Sequence, residues 1–141
     1  MRTLLTGLFV ASVVAIVVAL AGSALRSGPP SLAEVAGHYR GDYSPGAREE
    51  FHLRPDGTFE QQLLIDGRQA YRHQGRWHVR QQSIAFDSFM PSFDIRTRKV
   101  SLPRTAVDGV LGQWVSADGR RRIVFGPDDT YSIVRQGEAA K

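Results

Sequence analysis

The sequence predicts an all-β domain, an antiparallel meander of about 8–10 short strands that closes into a barrel or stacks as a two-sheet sandwich, behind an N-terminal apolar segment. Three observations carry this. Apolar and polar residues alternate with period two through much of the chain after Gly37. Four Asp-Gly pairs, at 56–57, 66–67, 108–109 and 118–119, supply the positive φ angles that tight hairpins need, each between two candidate strands. The apolar content is also uneven: of 141 residues, 42% are hydrophobic and 23% charged, yet no charge occurs from Leu4 to Leu25.

Residues 1–27 come first. At about 1.5 Å per residue the uncharged run makes a helix of about 33 Å, enough for a hydrocarbon core of about 30 Å. Its length favours a retained anchor, with Arg2 and Arg26 on either side. The small residues of Ala19-Leu20-Ala21 and Gly22-Ser23-Ala24 suit a cleaved signal. Either way residues 31–141 are expected outside the cytoplasm. The expected location is the cytoplasmic membrane, through one N-terminal helix at 4–25 with the β domain on the outer side; the alternative is cleavage and release to the periplasm or exterior. Without Cys there is no lipidation site and no disulfide, so the core alone must hold an exported fold.

Residues 28–36 form a linker and a short helix. Gly28-Pro29-Pro30 resists helix and favours an extended spacer. Ser31 and Glu34 make a capping box for a helix over 32–36.

The β domain follows over 37–141. Phe51 and Leu53 alternate with His52 and Arg54. Phe59, Leu63 and Ile65 oppose Glu60 and Gln62, and Trp77 and Val79 oppose Arg76, His78 and Arg80. Pro45, Pro55 and Pro103 fall at expected strand ends. Gly37-His38-Tyr39, Gly75-Arg76-Trp77 and Gly112-Gln113-Trp114 repeat a Gly-x-aromatic pattern, read as strand starts. Residues 51–59 reappear in character at 123–131, including Pro-Asp-x-Thr-aromatic, which suggests one hairpin used in two units, 37–87 and 110–135. Between the units, Phe89-Met90-Pro91-Ser92-Phe93 reads as an apolar loop and 94–102 as one further strand.

A Gly-x-aromatic strand, a strand ending in Pro-Asp-Gly-Thr-Phe and a further Gly-x-Trp strand resemble the lipocalin-like and related small β-barrel domains of exported bacterial proteins. The likeness covers Gly37 to Phe86, with a partial second copy from Gly112 to Ile133. It implies a binder of small apolar molecules or an accessory module of an envelope assembly, and it carries no catalytic residues. The chain departs from lipoprotein members in having no Cys.

Chemistry is sparse. His38, His52, His73 and His78 show no strand-pair spacing for a metal, so no metal or cofactor is expected. Glu49, Glu50, Asp42, Asp87 and Asp94 are the carboxylates available for acid–base work, and turn chemistry accounts for most of the Asp residues. Ser83, Ser88 and Ser92 lack a nucleophile elbow. Removing 1–27, with Arg2 and Arg26, leaves 16 Lys and Arg against 14 Asp and Glu, too balanced to point to nucleic acid. The basic runs 96–99 and 120–122 suit either anionic headgroups or protection of an exposed strand edge. The expectation is a non-enzymatic, membrane-tethered binding module for a small apolar or amphipathic ligand, with Tyr39, Trp77, Trp114, Phe89 and Phe93 as its binding residues. The alternative is a protein-interaction module of an envelope complex, working through the 89–93 loop or an unpaired edge strand.

Overall fold

The computed structural model of the chain describes residues 28–94, 99–100, 102–126 and 131–137. The apolar run 4–25, the basic residues 96–98 and the second-copy turn at 127–130 lie outside the described residues. Among the described residues no helix is long and apolar enough to cross a membrane.

One helical turn, α1 (Leu32–Val35), precedes ten strands: β1 (Gly37–Ser44), β2 (Ala47–Leu53), β3 (Thr58–Ile65), β4 (Arg68–Arg80), β5 (Ser83–Phe89), β6 (Phe93–Asp94), β7 (Lys99–Val100), β8 (Val107–Ala117), β9 (Arg120–Val124) and β10 (Ser132–Arg135). Helix α1 carries the full capping box: Glu34 N donates to Ser31 Oγ, and Ser31 N to Glu34 Oε2 at 2.8 Å. Eight strands form a closed barrel in the order β1-β10-β9-β8-β5-β4-β3-β2, all pairs antiparallel. The architecture is therefore a barrel and not a two-sheet sandwich, and each of these eight strands has a neighbour on both sides.

Strand direction alternates, which sorts the connections to two ends. The helix end gathers α1 and the turns at 54–57, 81–82 and 118–119. The plug end gathers the turns at 45–46 and 66–67 and the segment 90–92.

The alternation read from sequence sets the inside. Tyr39, Phe51, Leu53, Phe59, Leu63, Trp77, Ile84, Phe86, Phe89, Phe125, Tyr131 and Ile133 are buried. Rings fill the interior: Phe51 stacks on Phe89 at 5.6 Å, Phe59 meets Phe86 edge-on at 5.1 Å, and Phe125 lies 4.8 Å from Tyr131. Such a ring core contributes more than its buried area, through edge-to-face and offset contacts.

Four local expectations are corrected. Asp108-Gly109 is no hairpin turn; it lies inside β8, where Gly109 takes φ +71°. Gly75 and Gly112 are mid-strand rather than strand starts. Each makes room for a ring: a Cβ on Gly75 would lie 2.7 Å from Phe59 Cε1, and one on Gly112 would lie 2.4 Å from Ile123 Cγ2 and 3.0 Å from Phe125 Cε1. Segment 94–102 is not one strand, because β6 and β7 are two-residue strands paired with each other. Of the basic run 120–122, Arg122 guards no edge, since it is paired with both β8 and β10, whereas Arg120 and Arg121 run past the end of β10.

The related hairpins match in their closing contact. Leu53 pairs with Phe59, and Phe125 N donates to Tyr131 O at 2.8 Å, the same six-residue offset. These contacts lie at opposite ends of the barrel.

Candidate functional site

Two places stand apart from the apolar core, one at each end. At the plug end lies Glu49, which occupies the inward phase of β2 with Ala47, Phe51 and Leu53 and is fully buried. Its Oε1 accepts from Gln61 Nε2 at 2.5 Å, Ser92 Oγ at 2.8 Å and Tyr71 Oη at 2.9 Å. Its Oε2 accepts from Tyr131 Oη at 2.7 Å and from Tyr43 Oη. Five neutral donors thus saturate one carboxylate, replacing the water it loses on burial.

The same cluster seats the plug. Gln61 Nε2 donates to Met90 O at 2.8 Å, while Met90 N donates to Gln61 Oε1 at 3.0 Å. Burial is the main cause that raises all three phenols above their ordinary value, and the carboxylate beside them adds to it. They stay protonated and therefore stay donors. Because its lone pairs are taken within the chain, Glu49 acts as a lock and offers no free oxygen to a substrate.

At the helix end, Gly28, Pro29 and Pro30 cross the barrel rim. With Glu34, Gln82, Trp114 and Ser116 they line a groove of about 400 Å³. Gln82 Nε2 donates to Gly28 O at 3.4 Å, and Trp114 N to Gln82 O at 3.3 Å. The Trp114 ring packs on the core beneath it while the Arg121 guanidinium lies 4.5 Å above its centroid, a cation–π arrangement. Its indole N–H, like Arg122 Nε, is enclosed and has no hydrogen-bond partner among the described residues. Buried indole N–H groups normally find one.

A third feature is a polar groove of about 310 Å³ lined by His38, Glu50, His52, Glu60 and Gln62. Arg72 donates to Glu60 at 2.5 Å and, more than any other contact, holds that carboxyl at about 2 instead of the usual 4.5. Among the described residues no group of three or more side chains could hold a metal ion.

The expected ligand residues do not converge on one opening. Tyr39 is buried and donates from Oη to Val35 O at 2.5 Å. Trp77 is buried, its Nε1 donating at 3.0 Å to both Arg54 O and Thr58 O. Phe89 belongs to the ring core. The Phe93 backbone pairs with Val100, and its side chain lies outside the described residues. Trp114 lines the groove at the helix end.

Sequence reasoning missed Gln61, Tyr43 and Tyr71 and gave Glu49 no inward role. The signal for Glu49 and Gln61 was present: each falls on the phase of its strand's phenylalanine, Phe51 or Phe59. No protein-family model, curated protein or solved structure matches the chain.

Proposed function

We propose that the protein is a membrane-tethered, exported and non-catalytic binding module of lipocalin-like kind, held by residues 4–25. Its ligand is a small apolar or amphipathic molecule taken in the groove beside Trp114, outside the ring-filled barrel. The observation that carries this reading is the groove of about 400 Å³ at the helix end, where the half-buried Trp114 is walled by Pro29 and Pro30. An amphipathic ligand would lay an apolar part on the indole and proline faces and meet Gln82 and Ser116 with a polar part.

Native mass spectrometry of the full-length chain, recovered from its own membranes in mild detergent, tests both halves. The expected result is the intact mass with a discrete adduct that Trp114→Ala loses. A bare mass beginning near residue 22 or 25 would remove the tether, and an adduct unchanged in Trp114→Ala would remove the groove.

A second reading, an interaction module of an envelope complex, draws on Leu102, Val107 and Leu111. They are 61%, 40% and 49% exposed, the latter two on the outward phase of β8. Crosslinking from position 111 in the native membrane checks it, and the absence of a reproducible partner would count against it.

A further inference from the structure

The geometry points to the helix-end rim as a surface that docks on anionic phospholipid headgroups, with Trp114 at headgroup depth and Arg80, Arg120 and Arg121 supplying the charge. This rests on the tether and groove proposed above and names the ligand class of that groove.

Reach comes first. Five residues, 26–30, separate the apolar run from Ser31, and at about 3.6 Å per fully extended residue they span no more than about 18 Å. The end of the barrel where Gly28 to Pro30 cross the rim is therefore the end held near the bilayer. The plug end, about a strand length away, is not.

Composition comes next. Arg80 closes β4 and Arg120 and Arg121 open β9, so strand polarity brings all three to the helix end. Among the described residues the carboxylates of that end are Glu34, Asp56 and Asp118, the last 93% exposed and 3.8 Å from Arg122, and with Arg54 and Arg135 the three arginines outnumber them. Tryptophan settles at the membrane interface because its ring is apolar and its N–H polar. Trp114 is half-buried at the rim, where its ring lines the groove beside Pro29 and Pro30. Each basic residue near an anionic surface contributes about 1 kcal/mol, or about fivefold in the docked-to-undocked ratio.

The two tryptophans of the chain make the test direct, because Trp77 is sealed in the core at 2% exposure. The full-length protein is reconstituted into phosphatidylcholine vesicles, with or without phosphatidylglycerol, that carry lipids brominated near the headgroup. The expected result is quenching of tryptophan emission that requires phosphatidylglycerol and weakens with salt. It should fall to the Trp77 background in Trp114→Phe and weaken strongly in the double variant Arg120→Gln with Arg121→Gln, where the docked ratio drops about 25-fold. Blue-shifted Trp77 emission in each variant reports an intact core. A chain retained by the vesicles after alkaline washing but unquenched would overturn the docking while leaving the tether. Equal quenching without phosphatidylglycerol would overturn the recognition of anionic headgroups. A chain washed off the vesicles would overturn the tether and, with it, the docking.

Discussion

Removing the carboxylate of Glu49 would leave three phenols, an amide and a hydroxyl aimed at one dry position. Buried donors without acceptors cost about 1–3 kcal/mol each when they cannot relax. Glu49→Ala is therefore expected to destabilise by about 3 kcal/mol or more, read as a lowered denaturant midpoint. Glu49→Gln keeps one acceptor and lets hydroxyls rotate, so its loss should be about half as large. The phenols bring a pH dependence. Their folded values lie above the ordinary 10.0, so the folded state holds protons that the unfolded state releases. Stability is fully present below pH 10 and lost as pH rises above it. Tyrosinate absorbance at alkaline pH should thus appear together with loss of the fold, and Tyr71→Phe should move that transition to higher pH.

The turns and the mid-strand glycines carry different demands. Gly57 sits at φ +83° in the 54–57 turn, with Gly57 N donating to Arg54 O at 3.1 Å and Asp56 Oδ1 accepting from Thr58 N at 2.9 Å. Gly57→Val should cost more than about 1 kcal/mol, because a β-branched residue is strained there whatever the space. Gly112→Ala fails for another reason. Its Cβ would be driven into Ile123, an overpacking cost of about 1–3 kcal/mol. A thermal melt of each variant checks both. These positions also show what the sequence made legible. Alternation revealed the inward phase of β2, β3 and β4, because it depends only on neighbours two residues apart. The Gly-x-aromatic repeat was visible, but its cause at Gly75 and Gly112, a ring lying across a bare backbone, exists only once strands are registered. Asp108-Gly109 misled for the same reason: the dipeptide states a φ preference, and a strand interior can use it as well as a turn.

Across the whole molecule the Glu49 cluster spans residues 43 to 131, drawing on β1, β2, β3, β4, the plug and the residue before β10. No local pattern could assemble it, since closure of the barrel is what brings Tyr131 to Glu49. Closure itself depends on a narrow seam. Only Tyr39 with Arg135 and Arg40 with Val134 are in register between β1 and β10. Arg135 strengthens it, donating to Glu34 O at 3.0 Å and Ala36 O at 2.8 Å, while Gln136 N donates to His38 O at 2.8 Å. Arg135→Ala should lower stability by about 1–3 kcal/mol and raise hydrogen exchange first at Tyr39 and Arg40.

That seam also sets an order of events. The residues it joins are separated by nearly the full length of the domain, so the ring cannot close until 132–135 have arrived. Every earlier intermediate is an open sheet with two bare edges. Pairings of such long range are slow to form and exposed to misassociation while they wait. A chain delivered N-terminus first across a membrane would spend its whole passage in that open form, and would become a finished barrel in one late step.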